Sequence, residues 1–79
     1  MVGKILKTMR RESNLTQEDL SKMTYIGRST LSDYEREKTD INFENIEKIA
    51  EACNYDVLFV SKKDSNHILS SKNIDRKEI

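Results

Sequence analysis

The chain has 79 residues, and its 14 basic and 14 acidic side chains give a formal net charge of zero at pH 7. One cysteine excludes an internal disulfide, and no Cys and His pair has the spacing of a zinc site. A chain of this length forms one domain that buries only about 60–65% of its unfolded surface, so a second subunit would add stability.

Charge is unevenly distributed along the chain. Residues 1–13 carry four basic side chains and one acidic, residues 61–79 carry five basic and three acidic, and the middle is acidic. A nucleic-acid surface in this chain would therefore depend on a few well-placed cations, and non-specific binding should be weak. No segment is long enough to span a membrane or resembles a signal peptide, so we expect a cytoplasmic protein without membrane contact.

The first helix is predicted at about residues 3–13, because apolar residues recur there at helical spacing: Ile5, Leu6 and Met9. The second helix begins after Thr16, a natural N-cap, and Asp19 three residues later completes an acidic variant of the capping box. Its predicted inward residues are Leu20 and Met23, and it should end near residue 24.

The third helix is predicted from a cap at Gly27 to about residue 36, with Leu31 and Tyr34 facing inward and Ile26 buried in the preceding turn. A loop over residues 37–41 leads to Asn42, which caps a fourth helix. The inner face of that helix should carry Phe43, Ile46, Ile49, Ala50 and Cys53.

Residues 55–60 (YDVLFV) are β-branched and aromatic and predict a strand. No second strand is recognisable, so pairing with the same strand of another copy is expected to satisfy its backbone. The expected dimer interface is Tyr55, Val57, Leu58, Phe59 and Val60. A fifth helix closing a monomeric core is the alternative. Residues 61–79 are polar and aperiodic, which predicts a flexible tail.

The second and third helices are separated by three or four residues, which is the spacing of a helix-turn-helix. Residues 3–60 resemble the lambda-repressor-like (Xre-type) helix-turn-helix family. The resemblance rests on residues 15–21 (LTQEDLS), 28–32 (RSTLS), 34–36 (YER) and 46–50 (IEKIA). It implies a mainly α, four-helix DNA-binding domain at residues 1–60, with a short C-terminal strand that pairs across a dimer.

The resemblance also implies which residues bind DNA. Gln17 opens the second helix, where its side chain and free backbone amides can hold a phosphate. Arg28, Ser29 and Asp33 occupy positions that reach the major groove in this family. Arg28 can bind a guanine through two hydrogen bonds, a contact that discriminates between bases by about 1–3 kcal/mol.

The remaining DNA-binding candidates are less specific. Asp33 can accept from a cytosine amino group, or it can orient Arg28 or Arg36. Thr30 and Ser32 are small polar groups for which phosphate binding and helix capping are equal alternatives, and Arg36 is either a phosphate contact or a solvated residue. The flanking DNA backbone is expected to meet Lys38, Thr39 and Asn42.

Other positions matching the family are expected to be structural. Arg10 and Glu35 resemble a pair that joins the first and third helices. Independently of the resemblance, Cys53 is expected to be a small core residue and not a reactive thiol. Tyr25 stands where the family often has glycine, so it must accept a left-handed backbone. Glu37 likewise replaces a glycine.

The sequence therefore predicts a sequence-specific transcriptional regulator, a dimeric repressor that inserts the helix at residues 28–36 into the major groove of a palindromic operator. The alternative is an antitoxin-like module that neutralises a partner toxin and autoregulates its operon, because a C-terminal strand occurs in antitoxin members of the family. The sequence shows neither a catalytic nucleophile with a general base nor a set of metal ligands, so neither an enzyme nor a cofactor is expected.

Overall fold

The computed structural model describes residues 1–70, which form four α-helices followed by two short β-strands. The elements are α1 (Val2–Glu12), α2 (Gln17–Thr24), α3 (Arg28–Glu35), α4 (Phe43–Ala52), β1 (Leu58–Val60) and β2 (Ile68–Ser70). The expected mainly α, four-helix architecture is confirmed.

The core lies where the four helices meet. Its largest fully buried side chains are Leu20, Leu31 and Ile49, which come from α2, α3 and α4. The prediction that Met23 faces inward is wrong, because this side chain is 51% exposed. The inner stripe of α2 continues from Leu20 to Thr24, four residues later, and the Thr24 hydroxyl donates a hydrogen bond of 2.8 Å to the Leu20 carbonyl.

The helix starts follow the predicted caps. The Asp19 backbone N–H donates to Thr16 Oγ1 at 3.0 Å, and the Thr16 N–H donates to Asp19 Oδ2 at 2.9 Å, which completes the capping box. These hydrogen bonds to Thr16 hold the pKa of Asp19 below its ordinary value. The N-cap of α4 is Asn42, whose Oδ1 accepts from the Asn45 N–H at 2.8 Å.

Each helix is followed by a non-glycine residue with left-handed φ: Asn14 (59°), Tyr25 (61°), Glu37 (61°) and Asn54 (64°). The expectation for Tyr25 is confirmed, and Glu37 takes the same conformation. Asparagine visits this region easily, whereas tyrosine and glutamate pay about 1–2 kcal/mol for it.

The C-terminal segment differs from the prediction. Strand β1 covers only Leu58–Val60 and pairs antiparallel with β2 of the same chain, with Phe59 opposite Leu69. The expectations of no second strand and of a flexible tail are wrong for residues 68–70, and the fifth-helix alternative is also wrong. The rest of the predicted tail, residues 71–79, lies outside the described residues.

Local hydrogen bonds shape the connection between the strands. Ser61 Oγ accepts from the Lys63 N–H at 3.1 Å and from the Asp64 N–H at 3.3 Å. Asp64 Oδ1 then accepts from the Asn66 N–H at 3.0 Å. Serine and aspartate side chains stabilise turns in this way, so the polar composition that suggested a tail instead folds the loop of a hairpin.

Candidate nucleic-acid interface

Helices α2 and α3 are joined by a short turn over residues 25–27 that is tied to α2. The Ser21 hydroxyl donates to the Ile26 carbonyl at 2.6 Å, and the Ile26 N–H donates to Thr24 Oγ1 at 3.3 Å. Ile26 is buried as predicted. These contacts fix the turn against the C-terminal end of α2.

Helix α3 has one buried face and one open face. Leu31, Tyr34 and Glu35 are buried, while the first three residues of the helix are exposed. The open face consists of Arg28, Ser29 and Thr30, with the half-buried Ser32 and Asp33 beside them. Short polar side chains next to one long cation leave the helix surface free of steric obstruction.

The charged residues of α3 are not equivalent. Arg36 Nη2 lies 3.3 Å from Asp33 Oδ1, so Asp33 is paired with Arg36, one of the alternatives left open by the sequence. Arg28 makes no ion pair within residues 1–70. The guanidinium of Arg28 is therefore the cation at the start of α3 that remains available to an external partner.

Gln17, at the start of α2, belongs to a hydrogen-bond network that links three helices. Arg10 Nε and Nη2 donate to the two oxygens of Glu35 at 2.6 and 3.0 Å, which confirms the expected pair. Arg10 Nη1 donates to the Leu15 carbonyl at 2.8 Å. Gln17 Nε2 donates to Glu35 Oε1 at 3.1 Å. One carboxylate thus connects the first residue of α2 to both α1 and α3.

The network remains ionised despite its burial. Burial acts to raise the pKa of Glu35, but hydrogen bonds from Arg10 and Gln17 outweigh it, and the pKa lies below its ordinary value. The hydrogen bond to Glu35 raises the pKa of Arg10. Since the Gln17 amide nitrogen carries two protons, one remains for a phosphate oxygen after the other is donated to Glu35.

The loop between α3 and α4 places further candidates beside α3. Lys38 and Thr39 are exposed, and the Lys38 N–H donates to the Asp33 carbonyl at 2.9 Å. Glu37 accepts a hydrogen bond from the amino group of Met1, which lowers its pKa. Asn42 uses its side-chain oxygen as a helix cap, so only its amide N–H groups are left for a phosphate.

Two structural contacts near this surface are absent from the predictions. A Cβ added to Gly3 would lie 2.4 Å from the Tyr34 carbonyl oxygen, so α1 reaches the end of α3 only because residue 3 has no side chain. Asn45 Nδ2 donates to the Tyr34 hydroxyl at 2.9 Å and joins α4 to α3. The glycine inside the first predicted helix was a sequence signal for the contact at Gly3. No sequence signal pointed to the hydrogen bond between Asn45 and Tyr34.

The residues predicted to form a dimer interface lie on both faces of the hairpin. On the inner side, Val57 packs against the core, and the Phe59 ring stacks on Phe43 with centroids 6.1 Å apart. The Tyr55 hydroxyl donates a hydrogen bond to the Glu12 carboxylate, which raises the pKa of Tyr55. Leu58 and Val60 alternate with Val57 and Phe59 along the chain and are 50% and 54% exposed, against 55% for Phe59. The inner residues are therefore engaged within their own chain.

Within residues 1–70, no group of three or more His, Cys, Asp and Glu side chains is placed to hold a metal ion. None of the helices in this part of the chain has the length and apolar character required to cross a membrane.

Two helices joined by a three-residue turn, with the second exposing a polar face and supported by two further helices, define a helix-turn-helix domain. Residues 6–60 match the family model HTH_3, described as Helix-turn-helix. The chain therefore belongs to this Xre and lambda-repressor-like family of DNA-binding transcriptional regulators. No match to a curated protein was found.

Proposed function

We propose that the protein is a dimeric, sequence-specific transcriptional repressor that inserts α3 into the major groove of a palindromic operator. The observation that carries this proposal is the pairing of an open α3 face, led by Arg28, with a Gln17 amide held in place by Glu35. The first feature suits base recognition and the second suits phosphate recognition.

Base recognition is assigned to the open face of α3. Arg28 offers two parallel donors that match the O6 and N7 acceptors of guanine. Ser29, Thr30 and Ser32 are short donors or acceptors that allow the helix to approach the bases closely. Asp33 is held by Arg36 at 3.3 Å, so its role is to position that cation, and together the two residues add no net charge.

Phosphate recognition is assigned to residues that follow α3 and to residues at the starts of α2 and α4. Gln17, Lys38, Thr39 and Asn42 provide these contacts, with Arg36 at the boundary. Because so few cations take part, affinity should depend only moderately on salt, and most of it should come from doubling the interface in a dimer.

The dimer is proposed to form through the hairpin. In residues 1–70 the sheet contains only β1 and β2, so the second edge of β1 has no strand beside it. A second copy can pair with that edge and cover Leu58 and Val60. The two α3 helices would then read half-sites about 34–36 Å apart, which is one turn of DNA.

Selection of bound sequences from a random duplex pool tests this proposal, and we expect a palindrome with half-sites one turn apart. The double variant Arg28→Ala and Gln17→Ala should no longer bind the selected DNA sequence. It should still unfold in a cooperative thermal transition, which shows that it remains folded. Lys62→Ala, which removes an exposed cation in the hairpin loop, is the control and should bind normally. Unchanged binding by the double variant would show that α3 does not read the DNA.

A test of the dimer uses two exposed apolar residues of β1. Leu58→Lys with Val60→Lys should halve the mass in solution and weaken operator binding, because the added charges disrupt the apolar contact between subunits. The fold of one subunit should survive, since both side chains are already solvent-exposed in it. The antitoxin-like alternative is favoured by the same exposed apolar face, which suits a larger protein. That alternative predicts that a partner co-purifies with the native chain and is lost with this double variant.

A further inference from the structure

A groove lies between the C-terminal end of α2 and the outer side of α4, at the opposite end of α2 from Gln17. It has a volume of about 560 Å³. We call it the Tyr25 groove, and its lining residues are Met23, Thr24, Tyr25, Glu44, Glu47, Lys48, Glu51 and Ala52. None of these residues is among those assigned to DNA binding or to the hairpin dimer.

The aromatic residue in this groove has no evident role within its own chain. Tyr25 is 94% exposed, and its backbone has a left-handed φ of 61°, a conformation that glycine adopts at much lower cost. Met23 next to it is 51% exposed. The left-handed backbone at Tyr25 ends α2, as it does at the other helix ends, while the ring itself stays open to a contact outside the subunit.

The groove is also acidic. Glu44, Glu47 and Glu51 lie on α4 at spacings of three and four residues, and Lys48 is the cation among them. Glu47 and Glu51 also take part in interactions within the chain. A surface that combines an exposed aromatic ring, a thioether and several carboxylates is complementary to a surface with cations around an aliphatic residue.

The outer side of α1 has that chemistry. Lys4 and Arg11 are exposed there, and Ile5 is 53% exposed although it is aliphatic. A guanidinium such as that of Arg11 can stack on a tyrosine ring, and Ile5 can pack on a thioether. The chain has no net charge, so repulsion between whole molecules does not oppose the contact.

We propose that the Tyr25 groove binds the outer side of α1 of a second copy of this chain. The contact joins two different surfaces, so it adds copies in a row instead of closing a two-fold dimer. On DNA it would link neighbouring dimers. The contact itself does not depend on DNA binding, and it is tested without DNA.

Sedimentation of the full chain over a range of concentrations measures this association. We expect species larger than the hairpin dimer at low salt and their loss at high salt, because screening shortens the reach of exposed charges. Tyr25→Gly should weaken these species at least about tenfold while keeping or raising thermal stability, since glycine relieves the left-handed strain. Asn54→Gly makes the same backbone change away from the groove and should leave association unchanged.

A charge exchange identifies the partner surface. Glu44→Lys with Glu51→Lys reverses the groove, and Lys4→Glu with Arg11→Glu reverses α1. Each double variant alone should fail to form the larger species, and an equal mixture of the two should recover them. The proposal is overturned if the native chain stops at the dimer, if Tyr25→Gly associates normally, or if the mixture fails to recover. Binding of the groove only to a different protein would overturn it as well.

Discussion

The helical body of the protein, residues 2–52, and the hairpin that follows it are held together in different ways. The body has a shared core whose largest side chains are less than 2% exposed, and a buried ion pair connects its helices. The hairpin has three-residue strands, and Leu58, Phe59 and Val60 are all at least half exposed. The body therefore carries the stability of the fold, and the hairpin offers apolar surface to a partner.

The largest expected effect comes from breaking the network in the body. Glu35→Ala leaves Arg10 charged and buried without its partner, so the free energy of unfolding should fall by about 3–5 kcal/mol. Urea denaturation measures this loss. Glu18→Ala, which breaks the exposed pair with Lys22, is the control and should change stability by less than about 1 kcal/mol. Similar losses for both variants would show that burial of the network is unimportant.

The second effect tests the close approach of α1 to α3. Gly3→Ala places a methyl group against the Tyr34 carbonyl and the Glu37 side chain, so unfolding should become easier by about 1–3 kcal/mol. Gly27→Ala adds the same methyl group where the nearest atom is 3.7 Å away, so it meets no clash, and its effect on thermal stability should be smaller and limited to the poorer N-cap of α3. Equal melting temperatures for the two variants would contradict the tight contact at residue 3.

A smaller effect is expected in the hairpin. Phe59→Ala removes one stacked pair from a ring that is 55% exposed, so the loss should be about 1 kcal/mol. Thermal unfolding gives the size of the effect, and hydrogen exchange shows where it acts. Exchange should accelerate in the hairpin while α1 to α4 remain protected. Uniform acceleration across the helices would mean that the hairpin and body unfold as one unit.

Acid should act on the body, because its helices are linked by an ionised carboxylate. The pKa of Glu35 is lower in the folded state than in the unfolded state, so its contribution is present above about pH 4.3 and is lost as the pH falls through the folded pKa. Asp19 and Glu37 shift in the same direction. Glu35→Gln should therefore flatten the acid dependence of the melting temperature only in part. If the acid dependence of the melting temperature is unchanged in Glu35→Gln, ionisation of Glu35 does not contribute to the loss of stability in acid.

Local signals made the helical body predictable. Capping residues Thr16, Gly27 and Asn42 begin their helices as expected, since capping requires only neighbouring backbone groups. The Arg10 and Glu35 pair followed from the family resemblance, as did the left-handed Tyr25. The orientation of Met23 was missed because a helix of eight residues is too short for periodicity to separate it from Thr24.

The hairpin and the details of the DNA-binding face were not predictable in the same way. Strand β2 contains three residues and has too few positions for alternation to be recognised. Asp33 pairs with Arg36, and Gln17 donates to Glu35. Both contacts depend on distances between side chains on a folded surface. Sequence spacing leaves several such partners within reach.

The amino-acid sequence by itself determined the four helices, their caps and the helix-turn-helix family, because these depend on periodicity and on contacts between near neighbours. Only the tertiary structure decided that β1 pairs within its own chain, that Gln17 is held by a buried carboxylate, and that Tyr25 is left exposed beside an acidic helix. Each of these depends on which surfaces the packed core brings together, and segments distant in sequence meet only after that core has formed.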